Sequence, residues 1–137
     1  MLLKLLIDFG LVVLIWIIQL VVYPGLTYYS ESNLIAWHTK YTMAISTIVM
    51  PLMVTQAVIH GWQLFNDLSW IRVITSVLIG LAWGNTFFFA VPLHNKISAQ
   101  QDVLEAAQRL VSINWYRTVV WSAVFLLSVW DYLRNSG

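Results

Sequence analysis

Four predominantly apolar stretches constrain this chain more than any other feature: Leu5–Val22, Tyr41–Ile59, Ile71–Val91 and Val111–Trp130. Each runs for about 18–21 residues, close to the roughly 20 that carry a helix across a ~30 Å hydrocarbon core. The remaining side chains cannot offset them. The chain of 137 residues is 60% hydrophobic and 9% charged, whereas a water-soluble domain carries about 25% charged residues. A segment that crosses lipid must satisfy its own backbone hydrogen bonds, so these stretches are helices. The expectation is an all-α integral membrane protein, an up-down four-helix bundle. It forms one domain over 1–137, with helices over about 3–23, 36–64, 70–92 and 103–133.

Lys4 ahead of an apolar run resembles a secretory signal. The run is longer than a ~7–15-residue signal core, however, and the bulky "VVYPGLTYY" that follows offers no small-residue cleavage site. The first stretch therefore reads as a retained span. A net charge of +1 gives no reason to expect a nucleic acid partner. Without cysteine there is no disulfide, thiolate nucleophile or iron–sulfur cluster.

Four spans place both termini and the short connection Gln63–Trp70 on one face, side A. The longer connections Pro24–Trp37 and Pro92–Leu110 lie on the other, side B. Ser98 and Gln101 have capping-box spacing. Val103, Leu104, Ala107, Leu110 and Val111 then recur at helical spacing, as an amphipathic lead-in continuous with the fourth helix that rests at the membrane interface. Tryptophans and tyrosines gather at segment ends as an aromatic belt. Gly80 and Gly84 form a G-x-x-x-G that suits close approach within the bundle or in a homo-oligomer. Pro51 falls mid-helix, where it frees a carbonyl and favours a kink. Lys4, Arg72 and Arg134 on side A balance Lys40, Lys96 and Arg109 on side B, so charge does not orient the chain. The longer polar loops favour side B outward, with cytoplasmic termini in a bacterial inner membrane.

The second helix begins and the third ends on side B, so His38 and His94 share one face. His60, about 22 residues after His38, lies some ~33 Å away at 1.5 Å per residue. Three histidines therefore cannot meet, and His60 beside Trp62 reads as interface. Asn114, Arg117, Thr118 and Trp121 form one stripe on the fourth helix. Arg117 lies six residues inside the apolar run, roughly 9 Å deep. An intramembrane arginine costs about 2.5–3.5 kcal/mol on insertion scales and usually faces the bundle interior, although that depth is also within snorkelling reach. Asn85 and Gln19 lie in the same half. Asp8 and Asp131 either pair with Lys4 and Arg134 or face water.

Absent features exclude several classes. No carboxylate is placed mid-membrane for proton-coupled drug export. Clustered Asp, Glu and His for two irons are missing, as are a Ser-His-Asp arrangement and a phosphate-binding glycine loop.

Two motifs, "VPLHNKIS" and "LVSINWYRTVVW", resemble the ends of helices 3 and 4 in the anthrone-oxygenase-like family of small four-helix membrane proteins. The matching positions are Pro92, His94 or Asn95, Asn114, Arg117 and Thr118. Where the family has asparagine directly after Pro-Leu, this chain has His94 and then Asn95. The resemblance implies a polar pocket here and, from fungal members, a cofactor-free oxygenase acting on aromatic ketones.

Three functions remain open. The first is a membrane enzyme for a hydrophobic aromatic or quinone-like molecule, with no cofactor. In it His38 or His94 is the acid/base, and Arg117 and Asn114 stabilise an oxyanion or enolate. Tyr23, Trp37, Tyr41, Asn85, Asn95 and Trp121 would bind the substrate. The second is an electron-transfer module in which His38 and His94 ligate haem b or a metal ion. The third is a non-catalytic accessory subunit that docks through Gly80 and Gly84.

Overall fold

In the computed structural model, which describes residues 2–136, each apolar stretch is the middle of a longer helix. Helix α1 spans Leu2–Leu26, α2 Glu31–Asn66, α3 Trp70–Ser98 and α4 Val103–Asn135. All four are long and apolar enough to cross a membrane, and no strand occurs among the described residues. The chain is thus an all-helical four-helix bundle.

The bundle is built with its polar side chains inward. Lys4, Asp8, Leu11 and Ile15 recur every three or four residues on the buried face of α1, and Gln19 and Tyr23 continue the stripe. On α4 the buried stripe runs from Val103 through Ala107, Leu110, Asn114, Thr118, Trp121 and Val124 to Asp131. Leucines, valines and phenylalanines, among them Leu6, Val21, Val77, Phe88, Val119 and Leu126, point outward instead. Hydrocarbon solvates them as well as a core would, whereas polar groups in lipid must find partners inside.

Helix α2 is the least embedded. Its buried residues are Leu34, His38, Tyr41, Met53, Gln56 and His60. None lies between Tyr41 and Met53, so its middle, Pro51 included, is half-buried or exposed. That bare stretch forms one wall of an internal cavity. The ends of α1 and α4 are tied by a buried ion pair, Lys4 Nζ to Asp131 Oδ2 at 2.9 Å.

Several expectations about ends and contacts are corrected. Helix α3 does not end at Pro92 but continues to Ser98, so His94 and Asn95 are helical residues. Ser98 does not cap the fourth helix. It ends α3, and Gln100 follows with φ 58° while the Gln101 N–H donates to the Lys96 carbonyl at 2.9 Å. This is the six-to-one bond of a Schellman stop, which satisfies a carbonyl that a helix end leaves free. The turn at Gln100–Asp102 then aims α4 back along the bundle. The lead-in does not rest on the interface either: Val103, Ala106, Ala107 and Leu110 are buried against the bundle. Gly80 and Gly84 bring no element of the bundle close. A Cβ at Gly80 would meet nothing within 4 Å, and one at Gly84 only the Phe88 side chain at 3.9 Å.

Candidate functional site

Two π-turns shape the site. In α1 the turn Ile18–Val22 closes with the Tyr23 N–H on the Ile18 carbonyl. In α3 the turn Thr86–Ala90 closes with the Val91 N–H on the Thr86 carbonyl. A proline stands two residues past the end of each, Pro24 and Pro92. Proline has no N–H and its ring crowds the carbonyl four residues back, so widening the preceding turn relieves that clash. Such turns are frequent at functional sites. Here Gln19 and Tyr23 flank one, Thr86 and His94 the other.

Between these turns a hydrogen-bonded chain runs through the side-B half. Arg117, only 6% exposed, donates from Nη1 to Thr86 Oγ1 at 3.3 Å and from Nη2 to Tyr23 Oη at 3.1 Å. Nη2 also donates to Asn114 Oδ1. Asn114 is held in turn, because its amide donates to Gln19 Oε1 at 2.9 Å and Gln19 donates to the Val111 carbonyl at 3.3 Å. Tyr23 Oη lies 3.0 Å from His94 Nε2, and His94 Nδ1 lies 2.8 Å from His38 Nε2. Arginine can only donate, so Tyr23 Oη accepts from Arg117. Which of Tyr23 and His94, and which of His94 and His38, supplies the hydrogen of the next two bonds depends on the imidazole tautomers. His38 Nδ1 has no partner in either case.

The charge balance is unusual. Every acceptor on Arg117 is a neutral oxygen, its Nε has no partner, and none of the ion pairs among the described residues includes it. A buried cation without a counter-charge is costly.

Beside Arg117 lies a cavity of about 120 Å³. Tyr23, Tyr41, Thr86, His94 and Arg117 form its polar end, and Leu11, Ile15, Ile18, Ile45 and Val49 its apolar body. Trp121 also lines it. Ser46 and Met50 of α2 and Phe87 and Val91 of α3 also line it. All four are exposed on the outer surface, so the cavity opens sideways between α2 and α3.

Of the residues expected from sequence, the structure brings together His38, His94, Tyr23, Tyr41, Asn114, Arg117 and Trp121. It does not bring Trp37, Asn85 or Asn95. Trp37 and Asn95 are exposed. Asn85 lines an outer groove with Gly80, Gly84 and Phe88, because Thr86, one residue on, follows Ala82 on the inward face. Thr86 therefore holds the place expected for Asn85 beside Arg117. Arg117 itself points inward and does not snorkel.

His60 and Asp8 are corrected as well. Neither is interfacial: they are 5% and 1% exposed. His60 Nε2 lies 3.0 Å from Asp8 Oδ2, and Gln56 donates to Asp8 Oδ1 at 2.7 Å. Trp121 fixes that amide by donating to Gln56 Oε1 at 3.1 Å. A buried carboxylate thus does sit within the spans, about 9 Å from the start of α1 at 1.5 Å per residue. Gln56 and His60, four residues apart on one helix face at matching depth, were the available signal.

The haem alternative does not fit the pair. Two nitrogens that bind one ion from opposite sides stand about 4 Å apart, twice a ~2 Å metal–nitrogen bond. His38 and His94 bond to one another at 2.8 Å, which leaves no room for a porphyrin between them. No group of three or more His, Cys, Asp or Glu able to hold a metal ion occurs among the described residues. No protein-family profile, curated protein or solved structure matches the chain.

Proposed function

We propose that this chain is a membrane enzyme that takes a phenol-like ring, such as a quinol or an enol, from the bilayer and removes the proton of its ring hydroxyl. The observation that carries this reading is the uncompensated guanidinium of Arg117 at the polar end of an apolar cavity that opens on the outer face of the bundle. Such a cation stabilises an oxygen that is anionic, or becomes so during reaction. The size also suits a single ring: the cavity is about 120 Å³, near the ~150 Å³ that encloses benzene. A fused three-ring ketone exceeds the enclosed space, so the ring enters and any tail stays in lipid between α2 and α3.

The ring oxygen approaches Arg117 and Tyr23. His94 receives its proton through Tyr23, whose Oη lies 3.0 Å from Nε2, and His38 stands next in the chain at 2.8 Å. Tyr23 passes its own hydrogen to His94 and takes that of the substrate. Thr86 and Asn114 hold the guanidinium plane, and Gln19 holds Asn114. The ring left behind is an electron-rich phenolate or enolate, the state from which dioxygen can accept electrons directly. That step agrees with the oxygenase-like resemblance of the helix 3 and helix 4 motifs. A bacterial inner-membrane location with cytoplasmic termini is part of the same proposal.

The test is titration of the protein in nanodiscs with an alkylphenol and the matching alkylbenzoquinone, read by quenching of tryptophan fluorescence. Lysine keeps the charge of Arg117 but loses the planar fork that reaches Tyr23 and Thr86 together. Arg117→Lys should therefore weaken binding about ten-fold, or roughly 1.4 kcal/mol. Equal affinity in both proteins, or no binding in either, overturns the reading.

A further inference from the structure

Trp121 follows Arg117 by four residues on α4, one turn or about 6 Å nearer side A, and both line the cavity. Tyr23, Tyr41 and His94 gather at the cavity's polar end and Phe87 at its mouth; Trp121 is the aromatic side chain set in the apolar body. It is 3% exposed. A buried indole brings an N–H that needs a partner, a demand that leucine or phenylalanine would not make at this wall.

That demand is met from outside the cavity. Trp121 Nε1 donates to Gln56 Oε1 at 3.1 Å, and Gln56 Nε2 donates to Asp8 Oδ1 at 2.7 Å. His60 holds the second carboxylate oxygen at 3.0 Å. An indole N–H can only donate, as can an amide nitrogen. Turning the amide over would set its nitrogen against the indole N–H and its oxygen against the carboxylate. One orientation of Gln56 therefore satisfies both ends. Gln56 and Asp8 are each 1% exposed, so solvent does not compete for either bond. The indole is carried by α4 and gripped from α2, which is itself braced on α1.

We infer that Trp121 is the aromatic wall on which the substrate ring rests, and that Gln56, itself held by Asp8, is the positioning residue that sets its angle. The inference rests on the ring-binding reading of the cavity and deepens it: the site selects an aromatic ring over a saturated ring of similar size. A ring whose oxygen meets Arg117 extends from there into the apolar body, where Trp121 stands one turn further on. Aromatic pairs attract in offset-stacked or edge-to-face arrangements, so the gain depends on how the indole is turned. The bond to Gln56 fixes that before the ring arrives, and less ordering is left to occur on binding.

The test is displacement of a tritiated alkylphenol from the protein in nanodiscs, read by scintillation proximity so that no tryptophan signal is needed. The competitors are the unlabelled alkylphenol and the alkylcyclohexanol with the same tail. Their partition into lipid cancels when variants are compared. Trp121→Leu should lower the preference for the phenol about five-fold, the worth of one aromatic pair, with affinity for the saturated alcohol little changed. Gln56→Met, which frees the indole, should lower it about two-fold. Trp121→Phe keeps a ring but loses the bond to Gln56; it should match Gln56→Met, and it decides the matter where the leucine variant does not fold. Gln56→Glu should hold the wild-type preference, because a protonated carboxyl accepts from Trp121 and donates to Asp8. An unchanged preference in Trp121→Leu overturns the wall. Gln56→Met that keeps the wild-type preference, or weakens both ligands alike, overturns the positioning role. In either case a ten-fold weaker phenol in Arg117→Lys would leave the ring-binding reading standing, whereas a wild-type protein that binds neither competitor overturns both.

Discussion

The two halves of the polar core treat charge in opposite ways. On side A each buried carboxylate has a close basic partner: Lys4 with Asp131 and His60 with Asp8. On side B the guanidinium of Arg117 meets only Thr86, Tyr23 and Asn114, while His38 Nδ1 and Arg117 Nε stay unpaired. Closed pairs hold helices together. An open charge beside a cavity costs stability that nothing within the bundle offsets, which points to a ligand. Under the proposed function, the contrast separates structural from functional polarity in a core where both are equally buried.

The largest stability effect should follow from opening a closed pair. Asp131→Ala leaves Lys4 charged and buried, which should destabilise the bundle by about 3–5 kcal/mol in reversible denaturation from mixed micelles. Replacing Lys4 and Asp131 together by methionine should restore most of the loss. A single variant as stable as wild type would mean that the pair is solvated and that the contrast fails on side A.

His60→Ala comes next. Sequence alone placed His60 at the interface, where its loss would be silent. In the structure it removes one of two side chains that hold the Asp8 carboxylate, for a cost of about 1–3 kcal/mol. Ring binding at side B should change little, because His60 reaches the cavity only through Asp8, Gln56 and Trp121. A variant that melts like wild type would return His60 to the interface.

Span number, the shared level of His38 and His94, and the inward stripe Asn114–Arg117–Thr118–Trp121 were legible because helical period and membrane thickness fix depth and face. Residues beyond that periodicity were not. Asn85 and Thr86 differ by about 100° around α3, and hydropathy alone does not choose the inward one. The π-turns before Pro24 and Pro92 give no compositional sign beyond the prolines, so α3 read as ending where it widens. Asp8 was misassigned because its nearest charges in sequence, Lys4 included, suggested local pairing, whereas its partners come from 48 and 52 residues away.

Arg117→Met tests the contrast most directly, with unfolding free energy and ring binding measured on the same nanodisc sample. Methionine removes the lone charge and leaves Thr86, Tyr23 and Asn114 as neutral groups beside a cavity roomy enough for water. The expected result is a bundle within about 1 kcal/mol of wild type, or more stable, that no longer binds the ring. A loss of several kcal/mol, as in Asp131→Ala, or retained binding, would show that Arg117 belongs to the scaffold and would contradict the division between the two halves.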